Sequence, residues 1–238
     1  MNIMLIGYGR MNKMIGEIAQ NAGDTVSGIV DFDYSASPFE IEAPTDAVID
    51  FSHPDNLSKT LAYAKEKGIP AVIGTTNLTD AQKKEIEVTA SFAPVLYAAN
   101  YSLGVCVMKR ACKMLYDALG EDFDVEIVET HHNKKADAPS GTAKALADAM
   151  DPEGSHERLY GREGAVGARG REIGIHAVRG GTVAGEHRVL FLGEDETLEI
   201  RHEAISRRIF AKGAYRAAKW LQNKTNGLYT MENVLWEE

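Results

Sequence analysis

Apolar residues fall into two rhythms along this chain. Over roughly the first hundred positions they come as short unbroken runs: residues 2–6 (NIMLI), 25–30 (TVSGIV), 47–51 (AVIDF), 71–74 and 94–98. Helical spacing separates these runs at residues 11–21 and 55–66, and a further helix opens near Thr79 with Asp80 in its first turn. A strand that is apolar on both sides is buried on both sides, so the pattern predicts a parallel sheet covered by helices on each face. Residues 32–46 break the scheme, because they carry Pro38 and Pro44 and no helical period. They predict a loop in place of the second crossover helix, still long enough to bridge parallel strands.

After a helix at 103–119 the rhythm becomes alternation, at 124–130 (DVEIVET), 174–179, 188–192 and 197–202. Alternation marks strands with one solvated or partner-facing side, in a largely antiparallel or mixed sheet. Residues 151–171, rich in Gly, Arg and Glu, predict a long mobile loop. A last helix at 206–223 places Ile209, Phe210, Ala214, Ala217, Ala218 and Leu221 at helical spacing. The fold class expected is α/β: a Rossmann-type parallel-sheet domain plus a central α+β domain with a mixed open sheet.

Composition changes this picture little. With 238 residues, 44% hydrophobic and 26% charged, the chain is an ordinary globular protein. Its net charge of −9 argues against nucleic acid or an anionic membrane as partner. No apolar run approaches the ~18 residues of a membrane span. The opening MNIMLIGYGRM reads as a first strand, not a signal peptide. Cys106 and Cys112 lie on one helix with neither metal-knuckle nor CxxC spacing, as expected of thiols in a reducing cytoplasm.

Candidate chemistry begins where strand one ends, in Gly7-Tyr8-Gly9-Arg10-Met11-Asn12 followed by a helix. Gly7 permits a tight turn, and Gly9 lets the backbone approach a pyrophosphate held at the helix N-terminus. Asn12 stands where the usual third glycine would be. Asp31 ends strand two about 20 residues on, where an acid binds ribose hydroxyls. Its charge repels a 2′-phosphate and favours NADH, and Phe32 follows where an arginine would welcome NADPH. Arg10 and Lys13 are close enough in sequence to reach a phosphate, so NADPH use stays open. Gly74-Thr75-Thr76 and Ala98-Ala99-Asn100-Tyr101 end two more strands and suit a nicotinamide half, with Phe51 as wall and His53 as bystander. The bland alternative is a glycine turn in an ordinary α/β fold.

The second concentration is HHNKKADAPSGTA, residues 131–143. It gathers positive charge within an acidic chain, just before a helix for which Ser140 is the expected N-cap. Backbone amides at Gly141 and Thr142 would hold a carboxylate, while His131, His132 and Lys135 supply charge and protons. Adjacent histidines diverge in an extended chain, so no metal site is expected. A solvated basic loop before a capped helix is the bland alternative.

The run from Glu129 to Thr142, E-x-H-H-x-x-K-x-D-A-P-S-G-T, resembles the signature of the dihydrodipicolinate reductase family. Gly7 to Met11, Asp50-Phe51-Ser52, Gly74-Thr75-Thr76, Ala98 to Tyr101, Val178 to Gly181 and Gly185-Glu186-His187 are similar to family segments in family order, as is the Ser206-Arg207 to Trp220 helix. The chain departs at the glycine turn, one residue shorter than the commoner form, and in its short 32–46 segment. The resemblance implies a dinucleotide domain (1–102 and 207–238), a central substrate and oligomerisation domain (103–206) and a homotetramer. The reaction implied is NAD(P)H-dependent reduction of 4-hydroxy-tetrahydrodipicolinate to tetrahydrodipicolinate, with loss of water, in the diaminopimelate and lysine pathway. Its substrate is a small dicarboxylate. By motif position, His131 would be the acid/base and Lys135 the second proton donor. His132, Ser140, Gly141 and Thr142 would contact substrate, and Arg207 would contact a carboxylate or act in domain closure. Two rivals remain: another two-domain nicotinamide dehydrogenase, of the homoserine or aspartate semialdehyde type, and a nucleotide-binding redox sensor. Against the first, neither cysteine sits in a nucleophile context.

Overall fold

A computed structural model describes residues 1–31 and 37–237. Phe32 and the following residues to 36, the start of the expected 32–46 loop, lie outside the described residues. The remainder of that loop holds one 3-10 turn, Pro38–Glu40. The chain divides into two compact units, Met1–Leu103 with Arg208–Glu238, and Gly104–Arg207.

The first unit is built on a six-stranded parallel sheet. Its strands are β1 (Asn2–Ile6), β2 (Thr25–Val30), β3 (Ala47–Asp50), β4 (Ala71–Ile73), β5 (Pro94–Tyr97) and, near the chain end, β11 (Gly227–Tyr229). The order across the sheet is β11-β5-β4-β3-β1-β2. Successive side chains alternate faces, so Met4, Ile6, Val48, Ile73 and Val95 pack against α2 (Leu57–Lys67) and α3 (Asp80–Thr89). The residues between them, such as Ile3, Leu5, Ile49, Val72 and Leu96, are equally buried. The opposite face carries α1 (Arg10–Asn21) and α6 (Arg208–Leu221), whose Ala211, Ala214, Ala217, Ala218 and Leu221 are buried. Burial on both faces is why these strands read as unbroken apolar runs. Thr79 caps α3 through a reciprocal capping box with Gln82. Helix α2 starts at Leu57, later than its periodicity suggests, because Pro54–Asn56 form a separate 3-10 turn.

The second unit pairs a mixed five-stranded sheet with α4 (Leu103–Leu119) and α5 (Gly141–Met150). Its strands are β6 (Asp124–His131), β7 (Glu157–Tyr160), β8 (Glu172–Arg179), β9 (Glu186–Leu192) and β10 (Thr197–Glu203), in the order β10-β9-β6-β8-β7. One face is apolar: Val125, Ile127, Ile173, Ile175, Val189 and Phe191 pack against Cys112, Leu146 and Met150. This one-sided burial is the source of the alternating pattern.

Two sequence expectations need correction. The 151–171 segment is not all loop, since β7 lies within it and pairs in parallel with β8. Asp151 anchors its start, accepting from the Ser155 and His156 amides and from Arg158. Burial works against the Asp151 charge, but those donors hold its carboxyl at about 2. Near the chain end, β11 and α7 (Met231–Trp236) follow α6. Three residues of β11 are too few for a period to register in sequence, and pairing with β5 makes them a strand.

Candidate active site

In the first unit, the strand register lines up on one edge the strand ends from which the nucleotide-end candidates lead. Ile6 pairs with Val30 and with Asp50, Asp50 with Ile73, and Ile73 with Tyr97. The residues one step further therefore form a row: Asp31, Gly7, Phe51, Gly74, Ala98. At about 4.8 Å per strand the row spans roughly 19 Å along the carboxyl ends. Four backbone amides pin it, Gly7 to Val30 O (2.7 Å), Phe51 to Ile6 O (3.3 Å), Gly74 to Asp50 O (2.8 Å) and Ala98 to Ile73 O (3.3 Å).

This edge fits a dinucleotide. Gly7 has φ 86°, and a Cβ there would stand 2.8 Å from the Ser52 Cβ, so only glycine makes the turn. Gly9 is the extended N-cap of α1, whose first turn contains no acidic residue. The first amides of a helix have no carbonyl within it to pair with, and together with the helix dipole they favour an anion. Tyr8 and Arg10 are exposed beside the turn, and the Lys13 ammonium sits 4.8 Å from the Tyr8 ring centre. Asp31 is exposed at the far end of the row.

Several candidates prove to build the edge from within. Asn12 is fully buried, and its amide donates to Ile6 O (2.5 Å) and Gly7 O (2.7 Å). It braces the glycine turn from within, in place of a third glycine. The Tyr101 side chain is buried as well, its hydroxyl donating to Ile73 O (2.8 Å). Thr75 is buried and donates to Asp50 (2.7 Å), whereas Thr76 is exposed. Phe51 closes the space beside Gly74, where a Cβ would collide with its ring. His53 is exposed and accepts from the Asp55 amide.

Asp50 had no role in the sequence reading. It is fully buried and accepts from Ser52, Thr60 and Thr75. Burial pushes its carboxyl up, against those donors.

In the second unit, β6 carries Val125, Ile127, Glu129 and His131 on one face by strand alternation. The first two enter the core, and the last two reach its rim beside the start of α5. Glu129 has no solvent exposure and His131 about 12%. The Glu129 carboxylate accepts from two Arg179 nitrogens (2.8 Å each) and the Ser140 amide (2.9 Å), and His131 Nδ1 lies 2.5 Å from it. Burial opposes its charge, but Arg179, His131 and Ser140 outweigh it and hold the carboxyl below its ordinary value. Register sets His187 of β9 directly opposite Glu129. The His187 Nε2 lies 3.1 Å from the Ser140 hydroxyl, and its ring stands edge-on to His131 at 5.2 Å. Burial, and then the nearby His131, pull His187 down to about 4.

The segment after β6 is a loop. Lys135 N donates to His132 O, and the Ala138–Pro139 peptide is cis. His132 is tied back by its amide to Val183 O (2.9 Å), and its Nε2 lies 3.4 Å from Arg207. The Lys135 ammonium pairs with Asp137 (2.8 Å), which lowers the Asp137 carboxyl. Ser140 caps α5 as expected, accepting from the Ala143 amide. Its own amide and hydroxyl are both engaged within the protein, whereas Gly141 is exposed in the first turn. Thus His131 and Ser140 meet through Glu129 and His187, and His132 meets Arg207.

Glu129, Arg179 and His187 join the site without having been among its expected functional residues. A signal existed for Glu129, two positions before His131 on an alternating strand. Arg179 and His187 arrive from strands about 50 residues away, and only register brings them in. Among the described residues, no group of three or more His, Cys, Asp or Glu could hold a metal ion. No helix among them is long and apolar enough to cross a membrane. Both cysteines are buried thiols outside any disulfide, and burial pushes Cys112 up to about 12.

Comparison with known proteins identifies the family. Residues 1–101 match the model for the N-terminus of dihydrodipicolinate reductase, and residues 104–235 the model for its C-terminus. A 4-hydroxy-tetrahydrodipicolinate reductase from an Exiguobacterium species is 40% identical over 242 residues, covering 100% of this chain and 96% of that protein. One from Pseudomonas fluorescens is 45% identical over 224 residues, covering 92% and 84%. Among solved structures, the dipicolinate-bound dihydrodipicolinate reductase of a Paenisporosarcina species superposes with a TM-score of 0.78 at 24% identity, covering 98% of each chain. With both family models matched in order over nearly its whole length, the chain belongs to the dihydrodipicolinate reductase family.

Proposed function

We propose that this protein catalyses the NAD(P)H-dependent reduction of 4-hydroxy-tetrahydrodipicolinate to tetrahydrodipicolinate. One hydride and one proton are taken up and one water is released, in the route to diaminopimelate and lysine. The observation that carries this reading is His131, rim-exposed, held through Nδ1 by a buried carboxylate and set beside the start of α5. The region 1–102 with 207–238 is the dinucleotide domain, and 103–206 the substrate and oligomerisation domain.

A bound nicotinamide cofactor supplies the hydride. Gly7, Tyr8, Gly9, Arg10 and Met11 take its pyrophosphate, and Asp31 its ribose. Phe51, Gly74, Thr76, Ala98, Ala99 and Asn100 form the wall at the nicotinamide end. Asp31 makes NADH the preferred form. His131 exchanges the proton at Nε2, a step worth ~10²–10⁴-fold for a well-placed acid or base. Lys135 is the second donor, released from Asp137 when a dicarboxylate arrives. Gly141 and Thr142 hold one carboxylate at the α5 N-terminus, and His132 with Arg207 the other. Assembly as a cytoplasmic homotetramer follows from the family resemblance, and light scattering tests the tetramer.

A coupled assay tests the reaction. The labile substrate is generated in place from pyruvate and aspartate semialdehyde by its synthase, and nicotinamide absorbance is followed with NADH and with NADPH. Substrate-dependent loss is expected with both, faster with NADH. No loss with either, from folded protein that binds NADH, would move the redox-sensor reading forward. The double variant His131→Gln, Lys135→Ala should bind NADH normally and turn over orders of magnitude more slowly; near-normal turnover would remove the assignment of both residues.

A further inference from the structure

Arg179 and His187 have no part in the proposed reaction and Glu129 enters it only as the carboxylate at His131 Nδ1, though all three surround the proposed acid/base. We infer that Glu129, clamped by Arg179, is the positioning residue that fixes the tautomer of His131 and makes Nε2 the only atom at which that ring exchanges a proton. The inference rests on the reading of His131 given above.

An ionised carboxylate offers about four acceptor sites and no donor. In Glu129 three of them meet donors of fixed identity, the two prongs of the Arg179 fork and the Ser140 N–H, and the remaining one faces His131 Nδ1. A group that can only accept requires Nδ1 to carry hydrogen. In the neutral ring Nε2 is then the bare nitrogen, and in the charged ring it holds the transferable proton. The fork does more than satisfy Glu129. Its positive charge offsets that of the carboxylate, so the device acts on His131 mainly through orientation and less through net charge.

Two neighbours complete the arrangement. Gly185 has φ +153°, and a Cβ built there would stand 3.0 Å from His131 Nε2. Glycine at this position keeps a side chain from crowding the proton-transferring atom. His187, edge-on to the His131 ring, is kept neutral by burial, so no second cation packs against it. The same carboxylate also holds the Ser140 amide at the start of α5. One buried group therefore references the acid/base and the proposed carboxylate-binding turn to a single point.

A plain core ion pair between Glu129 and Arg179 is the competing explanation, and imidazole nitrogen spectra separate the two. In ¹⁵N-labelled wild-type protein near neutral pH, His131 is assigned by the signals lost in His131→Gln. We expect the neutral ring as the Nδ1–H tautomer. Glu129→Gln must turn an NH₂ towards donors, disturbing that tautomer. It should lower kcat by about 10²–10⁴-fold, the range for an acid/base ring in the wrong tautomer, with KM within a few-fold. Added to His131→Gln, it should cost nothing more. An Nε2–H tautomer in the wild type, an unchanged kcat in folded Glu129→Gln, or losses that multiply in the double variant would each overturn the inference. Should Glu129→Gln fail to fold, the wild-type tautomer alone decides. Wild-type protein that consumes no cofactor with substrate would defeat the proposed reaction, while the tautomer measurement would still judge the role of Glu129.

Discussion

Burial at the rim of the second core holds His187 at about 4, against 6.5 for an ordinary histidine. A base whose folded value is depressed contributes stability above its unfolded value and loses it as pH falls towards the folded one. Below about 6.5 the unfolded chain gains a proton here that the folded chain refuses. Stability should therefore fall between pH 6.5 and 4, by up to a few kcal/mol at about 1.4 kcal/mol per unit. Urea denaturation at pH 7 and pH 5 measures the drop. His187→Gln should shrink it, and an equal drop in the variant would assign the effect elsewhere. At this scale the sequence was readable where residue type and chain neighbours suffice, as in the Ser140 cap and Gly7. It was silent on His187, whose partners Ser140 and His131 lie 47 and 56 positions away in sequence and meet it only through strand register.

Among the elements, the turn from β1 into α1 shows how a motif can be kept with a residue changed. The third glycine of a dinucleotide turn lets helix and strand approach closely. Here the Asn12 side chain instead bonds two carbonyls at the strand end. Asn12→Ala should leave the Gly7 carbonyl short of a donor, at about 1–3 kcal/mol, while Ile6 O keeps the Phe51 amide, and should weaken NADH binding. Asn12→Gly, which restores the common motif, should not recover the loss. Thermal melts and NADH titration check both, and a stable, tightly binding Asn12→Gly would show that the amide is dispensable. Long periodic elements were legible: α4 ends where its spacing says. The short strands β7 and β11 were not, because three or four residues carry no reliable period and depend on the neighbouring strand.

For the molecule as a whole, the parallel register turns five separated strand ends into one row, with Asp31 at one end and Ala98 at the other. If the row binds cofactor as proposed, Asp31→Ala should weaken NADH more than NADPH, since it removes both a ribose contact and a repulsion towards a 2′-phosphate. Titration with each cofactor decides, and equal losses would remove Asp31 from the ribose site. The return of α6 to the first unit belongs to this scale as well. Its alanine-rich face lies against the sheet, and at Gly213 a Cβ would run into the Tyr101 carbonyl oxygen.

What the sequence determined by itself was the class of each half. Unbroken apolar runs require a sheet covered on both faces, and alternation requires one covered on a single face, because side chains alternate along any strand. It also marked the two places where glycine turns, a helix cap and basic residues gather. Tertiary structure alone decided which marked residues face outwards and which brace from within. Asn12, Thr75 and Tyr101 turn inwards, and Glu129, Arg179 and His187 converge on His131. Such contacts join strands tens of residues apart through hydrogen-bond register, and local pattern carries no information about register between distant strands.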